Sequence, residues 1–205
     1  ILQVAREEGI LILEDAPYLY INFAAPADRA KPFFSMAPEQ TVHLFTGSKI
    51  GFPGPRVGFL YSEAELEISE GKKVALSELA LVESSSELLF HSPGALRGFE
   101  ALLHEKPESQ AQDGAEAFVE RQSIWPLAEE KLVVYRENRQ ILLDVFEREL
   151  GMHKAHFSWT VPEGGFFTVF TFLNTGAAEP VRTDDAMIEK MVMDHGLVVI
   201  PMYDF

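Results

Sequence analysis

The sequence predicts an α/β protein, with a three-layer αβα large domain on a mainly parallel sheet followed by part of a smaller α+β domain. Three observations carry that prediction. Short apolar runs at residues 10–15 and 42–45 give way to polar residues, as strands buried on both faces of a parallel sheet do. Helical periodicity dominates from residue 62 to about 104 and again from 124 to 150. Strand-like stretches return only after it, at residues 157–161, 165–172 and 197–200.

The elements follow in order. The chain opens within a helix that ends at Gly9. In the first strand, residues 10–15, Asp15 and Tyr18 sit just past the C-terminal end, where parallel sheets place functional groups. The second strand, residues 42–45, runs out into Thr46 to Lys49. Residues 56–61 alternate, which predicts an antiparallel or edge strand. Apolar positions Leu76, Leu79, Leu81, Val82, Leu88, Leu89, Leu96, Phe99, Leu102 and Leu103 predict helices, separated at Ser92-Pro93-Gly94. Residues 105–114 are polar and read as an exposed or disordered insertion. The longest helix, residues 124–150, has a stripe of Leu127, Leu132, Val134, Ile141, Leu142, Val145 and Phe146, and Gly151 stops it. A last helix, residues 183–195, opens at Thr183 or Asp184 as N-cap. Residues 1–125 are read as part of the large domain, 126–150 as a connecting helix and 151–205 as part of the small domain.

Composition bounds the function. Of 205 residues, 47% are apolar and 24% charged, which is globular. A net charge of −15 repels nucleic acid and anionic membranes, leaving room only for a local basic pocket. The chain has no cysteine, which excludes disulfides and thiolate chemistry and fits a reducing cytoplasm. No apolar run reaches the roughly 20 residues of a membrane-spanning helix. Residues 1–9 lack the pattern of a signal peptide, and no initiator methionine is present, so the sequence is expected to start in mid-protein.

The chemistry concentrates in Thr46-Gly47-Ser48-Lys49 and in Arg56 after Pro53-Gly54-Pro55. A lone lysine is ordinarily a surface residue. Lys49, however, follows a buried strand and stands among small residues that let a ligand approach the backbone, an arrangement suited to a Schiff-base lysine. Arg56 follows a stiff turn and offers a planar fork that matches phosphate oxygens, with Thr46 and Ser48 as neutral donors. Asp15 is either a cap or a carboxylate that keeps a heterocyclic nitrogen protonated, and Tyr18 a donor to the same ring. Tyr20 reads as packing.

Asp15-Ala16-Pro17-Tyr18, Thr46-Gly47-Ser48-Lys49 and Pro53-Gly54-Pro55-Arg56, in that order, resemble the core of the class I/II aminotransferases, the fold-type I enzymes that use pyridoxal 5′-phosphate. Pro162-Glu163-Gly164-Gly165-Phe166-Phe167 and Gly196-Leu197-Val198-Val199-Ile200-Pro201 resemble two later motifs of that family. The chain departs at Met202, where the family usually has glycine. The family's phosphate loop and Asn-Pro-x-Gly segment are expected before Ile1, and its carboxylate-binding arginine after Phe205.

The resemblance implies an enzyme that moves an amino group between an amino acid and a 2-oxo acid. Lys49 would hold pyridoxal 5′-phosphate as a Schiff base and then shuttle the proton. Asp15 would keep the ring nitrogen protonated, Tyr18 would contact the ring oxygen, and Arg56 with Ser48 and Thr46 would hold the phosphate. It also implies a homodimer. Phe166, Phe167 and Tyr203 are candidates to face an apolar or aromatic substrate side chain, with core packing the alternative for the two phenylalanines. Two alternatives remain at this level: a decarboxylase, lyase, oxidase or cyclase using the same cofactor, and an aminotransferase-like effector domain of a transcription regulator.

Other motifs point to structure. His153 and His156 lack the further ligands of a metal site, so no metal is expected. Gly164-Gly165 reads as a bend for close packing. Residues 63–70 and the pair Glu129-Glu130 read as solvated helix faces.

Overall fold

The computed structural model describes residues 1–87, 92–105, 118–173, 176 and 181–202. The chain divides into two compact units, Ile1–Arg139 with Pro162–Phe166, and Gln140–Val161 with Phe167–Phe205.

The first unit begins with helix α1, Leu2–Glu7. Strand β1, Ile12–Asp15, runs parallel to β2, Thr41–Thr46, with Ile12 opposite Thr41 and Asp15 opposite Leu44. Strand β3, Gly58–Tyr61, lies antiparallel on the other side of β2, with Phe45 opposite Phe59. The order β1-β2-β3 makes β2 central, and its apolar run is buried as the pattern predicts. β1 differs from the expected two-sided burial, because Leu13 is 67% exposed while Ile12 and Glu14 are half-buried. β1 lies at the edge of this sheet, and Leu13 stays uncovered there although its partner Val42 on the same face is buried.

Residues 62–104 are not helical throughout. β4, Glu65–Ser69, and β5, Lys72–Ala75, form an antiparallel hairpin ahead of helix α2, Leu76–Glu87. The alternation Glu65-Leu66-Glu67-Ile68 and a turn at Gly71, whose φ is +70°, are the strand signals, so these acids lie on a hairpin rather than a helix face. Leu88 and Leu89 lie outside the described residues. Helix α3, Pro93–Leu102, opens where expected, with Ser92 Oγ accepting from the Ala95 amide at 3.4 Å. Strands β6, His104–Glu105, and β7, Val119–Glu120, pair antiparallel. Of the expected insertion, only Glu105 is among the described residues.

Helix α4, Trp125–Leu150, crosses the boundary between the units. Its buried row is Ala128 and Leu132, four residues apart, whereas Val134 and Ile141 of the expected stripe are more than half exposed. Glu130 is exposed as expected, whereas Glu129, 39% exposed, also pairs with Arg29 and Arg136. The core of this unit is Phe45, Ile50, Val57, Ala95 and Phe99, packed on by Leu19, Tyr20, Phe52, Leu102 and Ile124. It therefore joins β2, α3 and the segment that follows β2.

In the second unit, β8, Phe157–Trp159, pairs antiparallel with β9, Phe170–Phe172, and Phe146 of α4 packs on Trp159 and Phe170. Both strands are shorter than the sequence suggests. Helix α5, Asp185–His195, is capped by Asp184, which accepts from the Met187 amide at 3.1 Å. Leu197, Val198 and Ile200 are not in a strand, and each is at least half exposed, because no neighbouring strand pairs with them among the described residues.

Candidate active site

β2 ends at Thr46, and the chain turns at once into a 3-10 turn, Gly47–Lys49. Thr46 Oγ1 caps that turn by accepting from the Ser48 amide at 3.2 Å, and it donates to the Val57 carbonyl at 2.9 Å. A side chain at Gly47 would put its Cβ 2.7 Å from the Phe99 ring, so only glycine lets the turn sit this close to α3. Lys131 of α4 donates to the Ile50 carbonyl from below. The segment carrying Lys49 is thus held by β2, α3 and α4 at once, and Lys49 itself is half-buried.

Lys49 Nζ lies 5.4 Å from the centre of the Tyr18 ring, within reach of a cation–π contact. Tyr18 stands in the turn after β1, where the Ile21 amide donates to the Tyr18 carbonyl at 2.8 Å. Phe166 meets the Tyr18 ring edge-on at 5.6 Å. Asp15 is the last residue of β1 and is exposed, and the Ala16 amide beyond it donates to Leu44 at 3.0 Å. Because side chains alternate along strands, Asp15, Leu44 and Thr46 share one face of the sheet.

Arg56 has φ of +57°, the left-handed region that a non-glycine residue rarely occupies. From there its Nη1 donates to Ser48 Oγ at 3.3 Å and to the Pro53 carbonyl at 3.5 Å. Ser48 also receives a contact from Thr46 Oγ1 at 3.1 Å. Ser48 Oγ therefore accepts from the guanidinium and lies within hydrogen-bond distance of the Thr46 hydroxyl. A cation, a hydroxyl and a primary amine thus lie within one short segment, the donor set that an anion beside a nucleophile would need. That donor set fits pyridoxal 5′-phosphate, which brings a phosphate and an aldehyde, and a carboxylate at the neighbouring strand end fits its ring nitrogen.

Thr46, Ser48 and Arg56 therefore form one hydrogen-bonded chain, Lys49 and Tyr18 are neighbours, and Asp15 stands at the end of the adjoining strand on the face of Thr46. Tyr20 packs edge-on against Phe45 and Trp125, and burial raises its pKa above the ordinary phenol value. Gly164 is a close-packing bend as expected, since a Cβ there would fall 2.5 Å from the Ile21 carbonyl. Tyr203 lies outside the described residues. Among the described residues no group of three or more His, Cys, Asp or Glu side chains is arranged to hold a metal, and no helix is long and apolar enough to cross a membrane.

Sequence reasoning missed several contacts that brace the elements around this segment. Glu14 accepts from the Phe33 amide at 2.7 Å and pairs with His43 Nδ1 at 2.9 Å, on the sheet face opposite Asp15. Its signal was a carboxylate one residue inside a run read as buried, which demands a partner. Arg29, paired with Glu129 and stacked 3.7 Å over Trp125, and Lys131 carried no such signal.

No family model matches the chain. It is 25% identical over 206 residues to the (S)-3,5-dihydroxyphenylglycine transaminase of Amycolatopsis orientalis, covering all of this chain and 40% of that protein. The chain thus spans about two-fifths of the length of that curated relative. Among solved structures, it is similar to the multiple substrate aminotransferase of Thermococcus profundus, at 19% identity and a TM-score of 0.63, covering 98% of this chain and 40% of that one. It is also similar to the α-aminoadipate aminotransferase of Thermus thermophilus, solved with N-(5′-phosphopyridoxyl)-L-leucine, at 24% identity and a TM-score of 0.57, covering 83% and 37%. The fold is that of the pyridoxal-phosphate-dependent aminotransferases, fold type I.

Proposed function

We propose that this chain carries the lysine, ring-binding and phosphate-binding residues of a pyridoxal 5′-phosphate site that transfers an amino group between an amino acid and a 2-oxo acid. The observation that supports this most is the placing of Lys49 beside Tyr18, on the same short segment as the Ser48–Arg56 donor pair. The transaminase named above supports the same reading, and its name points to an aromatic amino donor as the first to test.

The cofactor, when bound, supplies an electrophilic carbon and a ring that accepts electrons released at the substrate Cα. Arg56 neutralises phosphate charge while Ser48 donates its O–H to a phosphate oxygen. Thr46, whose hydroxyl caps the turn and donates to the Val57 carbonyl, holds Ser48 in place. Asp15 keeps a proton on the ring nitrogen by offering it an anionic partner, and Tyr18 donates to the ring oxygen. Lys49 holds the cofactor and then, as a free amine, moves a proton at the substrate Cα. A homodimer belongs to the same reading, and light scattering measures it.

Absorbance of the purified protein with added cofactor tests the central claim. A band near the visible edge, trapped by borohydride in the wild type and absent from Lys49→Ala, is expected. Identical colourless spectra for the two proteins would sink it. Turnover of an aromatic amino acid that proceeds without any 2-oxo acid acceptor would overturn transfer in favour of another reaction.

A further inference from the structure

We infer that Phe166 is a positioning residue that fixes the Tyr18 ring beside the Lys49 amine, an inference that rests on the pyridoxal-phosphate reading above. Tyr18 belongs to a turn rather than to a strand or helix, so its ring direction depends on what packs against it. Phe166 meets that ring at 5.6 Å with the planes at 88°, and Phe166 is itself held edge-on by Tyr135 of α4 at 4.9 Å. The backbone of Gly165 lies behind the same ring, where a Cβ would come within 3.7 Å of Tyr18 Cγ.

Phe166 is 45% exposed, so burial does not account for its position. What holds it is a clip of main-chain bonds. The Gly165 amide donates to the Ile21 carbonyl at 2.8 Å, the Phe23 amide donates to the Glu163 carbonyl at 2.8 Å, and Asn22 and Gly164 form a β-bridge. Arg139 Nε donates to the Pro162 carbonyl at 2.7 Å. Tyr135 and Arg139 are one turn apart on α4, so that helix holds the segment Pro162–Phe166 at both ends. The clip grips residues 21–23, three to five positions after Tyr18, and seats one ring on Tyr18 itself. A phenylalanine at that place restricts the Tyr18 ring without taking its hydroxyl, because it offers no hydrogen-bonding group of its own.

The purified protein loaded with pyridoxal 5′-phosphate provides the test, with the pH midpoint of the bound cofactor's absorbance as the readout. A hydroxyl that donates to an oxyanion lowers that oxyanion's proton affinity, so Tyr18→Phe should raise the midpoint, by about one pH unit. Phe166→Ala is expected to raise it in the same direction and Phe166→Leu by less. In a Tyr18→Phe background, Phe166→Ala should add nothing, since it acts through Tyr18. A wild-type midpoint in Phe166→Ala, or a full additional shift in the double variant, overturns the inference and leaves the cofactor reading standing. If Phe166→Ala does not fold, Phe166→Leu and Tyr135→Ala carry the comparison, and unchanged midpoints in both overturn it. A wild-type protein that takes up no cofactor removes the underlying reading, and the inference with it.

Discussion

Arg56 reaches back to Ser48, its Nη1 donating to Ser48 Oγ at 3.3 Å, from a backbone held at φ +57°. The left-handed conformation costs on the order of 1 kcal/mol for a non-glycine residue, and it brings the guanidinium over the turn that carries Lys49.

The first prediction follows from that pair. If Arg56 and Ser48 hold a phosphate, Arg56→Ala removes a charge-assisted bond worth about 1.5–3 kcal/mol, which is about tenfold or more in affinity. The loss should appear with pyridoxal 5′-phosphate and be nearly absent with pyridoxal, which lacks the phosphate. Titrating both ligands into wild type and Arg56→Ala measures it, and an equal loss for the two would show that the arginine serves another purpose. Ser48→Ala should give the same discrimination at smaller size.

Gly47 yields a prediction about stability. A Cβ there falls 2.7 Å from Phe99, a buried ring of the core. Gly47→Ala must displace either α3 or the turn, at about 1–3 kcal/mol. For a chain of this size that corresponds to a drop in Tm of roughly 2–4 °C per kcal/mol. A companion Phe99→Leu change should recover part of the loss by opening space, so the double variant should melt above the sum of the singles; a strictly additive melt would argue against the contact.

Much of this was legible in the sequence because the signals were local. β2 with its end at Thr46, the break ahead of α3 at Ser92-Pro93-Gly94 and the Asp184 cap of α5 each follow from a few neighbouring residues. The hairpin β4–β5 was readable too, but its short alternation was overridden by the helical periodicity beyond Leu76. The exposed face of β1 was not readable, since an apolar run records what a strand requires and not which layers surround it. Nor was the clip at Pro162–Phe166, which sets Phe166 on a tyrosine 148 positions earlier through contacts no spacing rule reaches.

Glu129 carries a pH dependence. Its hydrogen bond to the Arg29 guanidinium holds its carboxyl below the usual carboxylate range, against the smaller opposing effect of burial, with Arg136 adding to the lowering. A carboxylate with a depressed folded pKa stabilises the protein above its unfolded pKa, and that stability is lost as pH falls through the folded value. Because Glu129 is 39% exposed, solvent screening limits the effect to about 1 kcal/mol. Urea midpoints measured from neutral pH into the acid range should fall more steeply for wild type than for Glu129→Gln, and parallel curves would rule the pair out as a contributor.

The last prediction concerns Glu14, which works on the sheet face away from Asp15. One carboxylate serves three partners: the Phe33 amide at 2.7 Å, the Phe34 amide at 3.3 Å and His43 Nδ1 at 2.9 Å. His43 is only 4% exposed on the central strand, and the Phe34 ring covers it at 4.3 Å between ring centres. Glu14→Ala leaves these donors without a partner where the His43 and Glu14 side chains are 5% and 13% exposed, and unpaired buried polar groups cost about 1–3 kcal/mol each. Glu14→Gln keeps an acceptor oxygen for the backbone amides but loses the charge. The expected order of Tm is therefore wild type, then Glu14→Gln, then Glu14→Ala. The neighbouring Asp15 provides the control: exposed and at the strand end, Asp15→Asn should leave Tm nearly unchanged while weakening the proposed cofactor chemistry. Should Asp15→Asn lower Tm as far as Glu14→Ala does, the division of labour between these adjacent carboxylates, one facing the fold and one facing the site, would have to be abandoned.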